Sequence, residues 1–137
     1  MRLWHCELIP VLPNEMLVAE WRECIAIKRQ WEKGTLKHRL VSYVMDYNKG
    51  CFYKYVGYIC DEMIKRDIKY KGRYFNEICY FCGIDIFNVG FWDFVEYKEH
   101  NDRYLKQCLY NLQEKTDRGI VSKEDWKRIE ERFGEYL

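Results

Sequence analysis

Apolar residues recur at helical spacing in four separate segments of this 137-residue chain, and this repetition constrains the fold more than any other feature. Side chains three and four positions apart share one face of an α-helix. The predicted helices cover about residues 14–34, 51–65, 101–115 and 122–134. We therefore expect a mainly α, compact single-domain fold with three or four helices.

Residues typical of helix ends stand at the limits of these segments. Pro10 and Pro13 break the chain before the first segment. Asn14 is a predicted N-cap and Gly34 a predicted stop. Ser122 opens the last segment with an approximate capping box. The sequence thus predicts a first helix that begins at about Asn14 and ends before Gly34.

An aromatic-rich stretch from Tyr74 to Tyr97 separates the second and third predicted helices. It contains Gly83 and Gly90, and its apolar residues are compatible with short strands or with an irregular packed loop. Loops of this length are uncommon in compact domains unless they have a function. We predict a long aromatic-rich loop here.

Length and composition point to one soluble domain that covers residues 1–137. No apolar run is long enough to span a membrane, and the start of the chain does not look like a signal peptide. Seven cysteines, an odd number without a secretory signal, favour reduced thiols. We expect a cytoplasmic monomer.

Cys79 and Cys82 form an isolated C-x-x-C pair. A structural zinc ion needs a second pair of ligands, and the three histidines do not have the spacing of a zinc finger. The aromatic neighbours of this pair favour buried thiols. We predict no metal.

The formal net charge of the chain is only +1, but basic residues are clustered at 37–39 and 69–73. The low net charge argues against a strong sequence-independent grip on DNA, which grows with the number of neutralised phosphates. One interpretation is that the clusters form a local basic face that binds DNA, with Tyr70 and Tyr74 as stacking surfaces for bases. Equally, such clusters are compatible with an ordinary solvated surface.

The start of the chain and the first helix carry the most specific pattern. The chain opens with Met1-Arg2-Leu3, and Leu17 and Ala19-Glu20-Trp21-Arg22-Glu23 follow on the first helix. Met1 is expected to be retained because the processing aminopeptidase needs a small second residue. This pattern resembles the pyrimidine-dimer DNA glycosylase family, to which the phage endonuclease V belongs. Weaker similarities are Phe52 to Arg66 and Leu112 to Lys115.

The resemblance implies that the α-amine of Met1 is a nucleophile and that Glu23 is its acid and base. An α-amine has an ordinary pKa of about 7.7–8.0, against about 10.4 for lysine, so much more of it is neutral near pH 7. Such an amine can attack a sugar carbon, expel the base and form an imine, while a nearby carboxylate moves protons. The implied activity is that of a DNA glycosylase with abasic-site lyase activity and without a cofactor.

The implied partner is damaged double-stranded DNA, with pyrimidine dimers as the candidate lesion. The enzyme must reach an anomeric carbon, so we expect it to kink DNA and extrude a nucleotide. Arg2 and Arg22 are the expected phosphate and charge-stabilising contacts, and Lys115 is a further phosphate contact. His5 follows the N-terminus closely enough to line the site.

Three positions depart from the family pattern. A family histidine is Met16 here, and two family arginines are Ala26 and Asn111. These losses, together with the near-neutral charge, favour an alternative function. The alternative is a non-catalytic nucleic-acid or protein interaction module that retains the fold.

Overall fold

A computed structural model describes residues 1–85 and 93–137. The α-helices are α1 (Asn14–Lys33), α2 (Lys49–Lys65), α3 (Gly72–Cys82), α4 (Asp102–Asp117) and α5 (Lys123–Phe133), and shorter 3-10 helices cover Cys6–Val11, Ser42–Asp46 and Gly134–Tyr136. The described residues contain no strand, and none of their helices is long and apolar enough to cross a membrane. The predicted mainly α fold is confirmed.

Helix α3 lies where the sequence analysis placed the start of a long loop, so that prediction was wrong for residues 74–82. Ile78 and Cys79 on this helix are buried, and Phe75 packs against the same core. Gly83 ends the helix with a left-handed φ of 68°, the usual C-terminal cap. Aromatic residues on every side of α3 obscured its periodicity. The predicted loop or strands at 86–92 lie outside the described residues.

The expected helix boundaries hold at Gly34 and Ser122 and fail at Asn14. Gly34 caps α1 with a φ of 73°, and Ser122 Oγ accepts a hydrogen bond from Asp125 N at 3.1 Å. Asn14 is not the N-cap of α1, because it is already the first helical residue. The cap position belongs to Pro13, and Asn14 Oδ1 instead accepts a hydrogen bond from Arg66 at 2.9 Å.

The N-terminal segment, residues 1–12, lies between two apolar clusters. Leu3 and Ile9 belong to the cluster built mainly by α1, α2 and α3. Trp4, Leu8 and Leu12 belong to the cluster that contains the buried residues of α4 and α5. The same short segment therefore contributes to both cores, and burial of its side chains fixes its position.

Arg66, the residue that caps α2, ties this segment to the helical core. Its guanidinium donates hydrogen bonds to the carbonyl oxygens of Ile9, Pro10 and Leu12 at 2.6–3.2 Å. Its Nε also donates to Glu62 on α2 at 3.0 Å. These carbonyl oxygens lie outside strands and long helices, and Arg66 alone donates hydrogen bonds to all three of them.

Candidate active site at the N-terminus

Two glutamates one turn apart on α1 hold the main chain of the N-terminal segment. Arg2 N donates a hydrogen bond to Glu23 Oε2 at 3.3 Å, and Trp4 N donates to Glu20 Oε1 at 3.3 Å. Residues three apart on a helix project from neighbouring positions on one side, so they can bind alternate amide groups of a segment lying across them. The motif thus places carboxyl groups directly against the start of the chain.

Two tyrosines from other helices hold the carbonyl groups of the same segment. Tyr104 Oη on α4 donates to Leu3 O at 2.5 Å, and Tyr55 Oη on α2 donates to Trp4 O at 2.7 Å. We refer to Glu20, Glu23, Tyr55 and Tyr104 as the N-terminal socket. The socket satisfies amide and carbonyl groups that burial removes from water, which keeps the segment in one conformation.

Covalent geometry places the Met1 amine close to Glu23. The amide nitrogen of Arg2 is 3.3 Å from Glu23 Oε2. Across one residue, successive main-chain nitrogens are at most about 3.6 Å apart, so the amine lies within about 7 Å of this carboxylate. Leu3, Trp4 and His5 are buried. Burial of these three residues holds the start of the chain against the helical core.

Glu20 is the most deeply buried carboxyl group of the socket, with 1% of the residue exposed. Burial raises its pKa well above the ordinary value of 4.5, and the negative charge of Glu23 raises it further. The hydrogen bonds from Tyr55 and Trp4 oppose this change without reversing it. The protonated form is therefore favoured more in Glu20 than in an exposed glutamate.

The hydrogen bonds around Tyr55 lead to the same protonation state. Its hydroxyl oxygen lies 2.7 Å from Trp4 O and 3.0 Å from Glu20 Oε1. A phenol has one proton and can donate to one of these oxygens only. If Glu20 is protonated, its own proton completes the second hydrogen bond and Tyr55 donates to Trp4 O. Every close contact is then satisfied.

The two arginines expected at the site lie on different sides of it. The guanidinium of Arg2 stands over the rings of Trp4 and Tyr104, at 5.7 and 5.9 Å from their centres. Arg22 is exposed on α1, beside Glu23 in sequence, and lines an open groove. Arg2 therefore lies against Tyr104 of the socket, Arg22 lines a separate groove, and DNA binding by both remains a prediction.

His5 has a well-defined structural position. The residue is 4% exposed, and its Nδ1 accepts a hydrogen bond from Glu7 N at 3.1 Å, which caps the first 3-10 helix. It stacks on His100 with ring centres 5.4 Å apart, and burial lowers its pKa. A role for His5 in DNA binding remains a prediction.

His100, to which the sequence analysis gave no role, links three parts of the chain. Its Nδ1 accepts from Cys6 N at 3.2 Å, and its Nε2 is 2.7 Å from Tyr43 Oη. The neutral tautomer protonated on Nε2 fits both contacts. Burial, aided by the neighbouring His5, lowers the pKa of His100 to about 3.

Lys115 is not brought together with the socket. It lies in the last turn of α4, whereas Tyr104 lies in the first. Eleven residues of α-helix separate them by about 16 Å along the axis. Any contact of Lys115 with DNA would therefore be made well away from Glu23.

The cysteines in the described part of the chain are free thiols. Cys79 is buried, Cys82 is half-buried, and burial raises the pKa of Cys82 to about 12. In residues 1–85 and 93–137, no three histidine, cysteine or acidic side chains are grouped so that they could hold a metal ion.

Sequence reasoning missed three of the four socket residues. Glu20 stands inside the Ala-Glu-Trp-Arg-Glu motif, and its position next to the apolar stripe was a usable sign of burial. Tyr55 and Tyr104 carry no such sign. They reach the N-terminal segment from 51 and 101 residues away along the chain.

Residues 1–76, more than half of the chain, match the sequence model of the pyrimidine dimer DNA glycosylase family. The matched part contains the N-terminal segment, α1 and α2, and with them Glu20, Glu23 and Tyr55. Tyr104 lies beyond it. No curated protein and no solved structure gives a match to the chain.

Proposed function

This chain belongs to the pyrimidine dimer DNA glycosylase family, and we propose that it excises a damaged base from double-stranded DNA and then cleaves the strand at the abasic site. The observation that carries the proposal is the hydrogen bond from Arg2 N to Glu23, which fixes the Met1 amine close to a carboxylate. Pyrimidine dimers are the proposed lesion, and a monomer is the proposed active form.

In the proposed reaction the neutral Met1 amine attacks C1′ of the damaged nucleotide. The bond between C1′ and the base breaks, the base leaves with a proton, and the sugar ring opens to give an iminium linking C1′ to the protein. Glu23 then removes a proton from C2′, and the C3′–O bond breaks by β-elimination. Water releases the sugar fragment and restores the amine.

The socket gives the amine nucleophile a fixed position, which a free chain end does not have. A chain terminus is usually mobile, and a mobile amine samples few productive positions. Hydrogen bonds at Arg2, Leu3 and Trp4 hold the terminus in place before the substrate arrives. Such preorganisation lowers the entropic part of the barrier.

Positive charge beside the socket suits a substrate with a phosphate backbone. We propose that Arg2 and Arg22 bind the phosphates nearest the reacting nucleotide. Lys115 would bind a phosphate farther along the duplex, and His5 would act beside the N-terminus if DNA binding exposes it. No metal or cofactor takes part in the proposed chemistry.

Borohydride trapping tests the proposal directly, because it reduces an iminium to a stable amine. The protein with its native N-terminus is incubated with a duplex that contains one abasic site, and the adduct is mapped by mass spectrometry. We expect the sugar fragment on Met1. Glu23→Gln should abolish strand cleavage while DNA binding and folding persist, because the side chain is half-buried and lies off the apolar stripe.

Two results would count against the proposal. An adduct on a lysine would keep lyase chemistry but remove Met1 from its role. DNA binding without any adduct or cleavage would favour the non-catalytic interaction module instead.

A further inference from the structure

A groove between α1 and α3 extends along α1 from Arg22 to Gln30. It encloses about 460 Å³ and is lined by Arg22, Ile25, Ala26, Arg29, Gln30 and Tyr74. The side chain of Ala26 is small, and the other lining side chains are longer. One lining residue, Arg22, directly precedes Glu23 in the chain.

Tyr74 holds two arginines together across this groove. The guanidinium of Arg29, on α1, lies 5.5 Å from the ring centre of Tyr74, and that of Arg73, on α3, lies 4.9 Å from it. Arg73 Nη2 also donates a hydrogen bond to Tyr74 Oη at 3.0 Å. A guanidinium stacked on a ring keeps the N–H groups at its edge available for an anion.

Most of this positive charge is not neutralised by the protein. Neither Arg22 nor Arg73 forms an ion pair with another described residue. Arg29 is paired with Glu77 at 3.4 Å, and Glu77 is shared with Lys28 at 3.3 Å. The hydrogen bond and charge of Arg73 lower the pKa of the Tyr74 phenol, as expected in a local positive field.

The spacing of the cations suits one nucleic-acid strand. Arg22 and Arg29 are seven residues apart, which is close to two full turns, so they share one face of α1. Their separation along the axis is about 10.5 Å. Phosphates along one DNA strand advance about 3.4 Å each along the duplex axis and also wind around it, so this distance corresponds to about two phosphate steps.

We propose that this groove binds the sugar-phosphate backbone of a DNA strand next to the reacting nucleotide, with Arg22, Arg29 and Arg73 as phosphate contacts and Tyr74 as the residue that positions the last two. The inference rests on the proposed function for its ligand. It also revises the expected stacking of bases on Tyr70 and Tyr74. Tyr70 packs against Trp21 at 5.1 Å, and guanidinium groups lie over the ring of Tyr74.

The test measures affinity for an undamaged duplex against salt concentration by fluorescence anisotropy. Arg29→Gln and Arg73→Gln should each weaken binding several-fold and reduce the slope of log affinity against log salt by about one. The matched control is Arg132→Gln. Arg132 is an exposed arginine on α5 whose guanidinium lies 5.4 Å from the ring centre of Phe133. This control should leave both affinity and slope unchanged.

A variant that binds DNA more tightly provides a control, because loss of folding cannot increase DNA affinity. Glu77→Gln removes the acidic partner that Arg29 has within the described residues and so should tighten DNA binding. Tyr74→Ala should weaken binding less than loss of either arginine, because it frees the guanidiniums without removing charge. Thermal unfolding of each variant checks that the helices remain intact.

The outcomes separate this inference from the proposed function. Altered slopes in a protein that forms no trapped adduct would support the groove and overturn the proposed chemistry. Unchanged slopes in both arginine variants, with an adduct on Met1 in the unaltered protein, would overturn the groove and leave the chemistry intact. Failure of the unaltered protein to bind the duplex at low salt would overturn the groove as well.

Discussion

The two sides of α1 handle charge in opposite ways. On the buried side, Glu20 is 1% exposed and holds the main chain of the N-terminal segment together with Tyr55. On the open side, Arg22 and Arg29 project into water beside α3. One helix thus carries part of a buried socket and part of a solvent-exposed cationic groove, within a few residues of each other.

The difference follows from the surroundings of each side. In the buried socket an unpaired polar group is expensive, so every donor needs its acceptor and one atom can decide the outcome. In the exposed groove, water and salt screen each charge, so contributions are small and add together. Changes to the socket should therefore have large effects, and changes to the groove small ones.

The largest effect is expected from blocking the N-terminus. Acetylation of Met1, or an uncleaved tag, converts the amine to an amide that cannot form an imine. We predict complete loss of the borohydride-trapped adduct and of strand cleavage, and recovery after accurate tag removal. Intact-mass measurement identifies the residue at the terminus. Undiminished cleavage with a blocked terminus would show that the socket does not hold the nucleophile.

A large effect is also expected from Glu20→Ala. It leaves the Trp4 amide without an acceptor in a buried site, which costs about 1–3 kcal/mol of unfolding free energy. Displacement of the segment should slow adduct formation by at least about tenfold.

The conservative variant makes the Glu20 test specific. Trp4 N and Tyr55 Oη both contact Glu20 Oε1. In Glu20→Gln the amide oxygen can occupy this position and still accept from Trp4 N, while Tyr55 donates to Trp4 O. Its adduct should therefore form faster than that of Glu20→Ala. Equal loss in both variants would contradict a role of the Trp4 hydrogen bond in positioning the segment.

Stability should depend on pH through His100, on the buried side. Its pKa is about 3 in the folded chain, against an ordinary 6.5, so the unfolded chain takes up a proton that the folded chain does not. The stabilising contribution is complete above pH 6.5 and is lost as the pH falls towards 3. The urea midpoint measured at several pH values should follow this trend.

The exposed His38 provides the control for this pH dependence. His38→Gln should keep the decline in stability at low pH, and His100→Gln should reduce it. An identical decline in both variants would assign the effect to carboxyl groups elsewhere.

A moderate effect is expected from salt, which acts on the open side. About five phosphate contacts, from Arg2, Arg22, Arg29, Arg73 and Lys115, correspond to a slope of log affinity against log salt of about −4.5. Titration of one duplex at several salt concentrations gives this slope. A value several times steeper would mean that a second basic surface, such as residues 37–39, also binds DNA.

The smallest effect is expected at Lys115, which is distant from both sides of α1. Lys115→Gln should change DNA affinity by less than any change in the groove, and it should leave adduct formation unaltered. The same anisotropy and trapping measurements check this. A loss equal to that of Arg73→Gln would place the duplex along α4 as well as across the groove.

Helix positions could be predicted wherever the apolar stripe was clear. The predicted segments at 14–34, 51–65, 101–115 and 122–134 correspond to α1, α2, α4 and α5. Helix α3 was missed because it is short and carries aromatic residues on every side, which obscures its apolar face. The Asn14 cap was misplaced by one residue, because Pro13 is able to supply the capping carbonyl and Arg66 binds the asparagine side chain.

Parts of the site were readable because they are local. The spacing of Glu20 and Glu23 on one helix follows from the motif, and the opening Met1-Arg2-Leu3 was recognisable beside it. The Ala26 position, where the resembling family has an arginine, looked like a lost contact. In the folded chain Ala26 lines a groove beside which Arg29 and Arg73 lie against the ring of Tyr74.

The sequence by itself determined the helical class and the limits of most helices. Those features depend on interactions between residues a few positions apart, which periodicity and capping rules describe. Only the tertiary structure decided that Tyr55 and Tyr104 hold the N-terminal segment, and that Arg73 reaches Tyr74 and Arg29 beside α1. These contacts join distant parts of the chain, and their positions come from burial of two apolar clusters around one short segment.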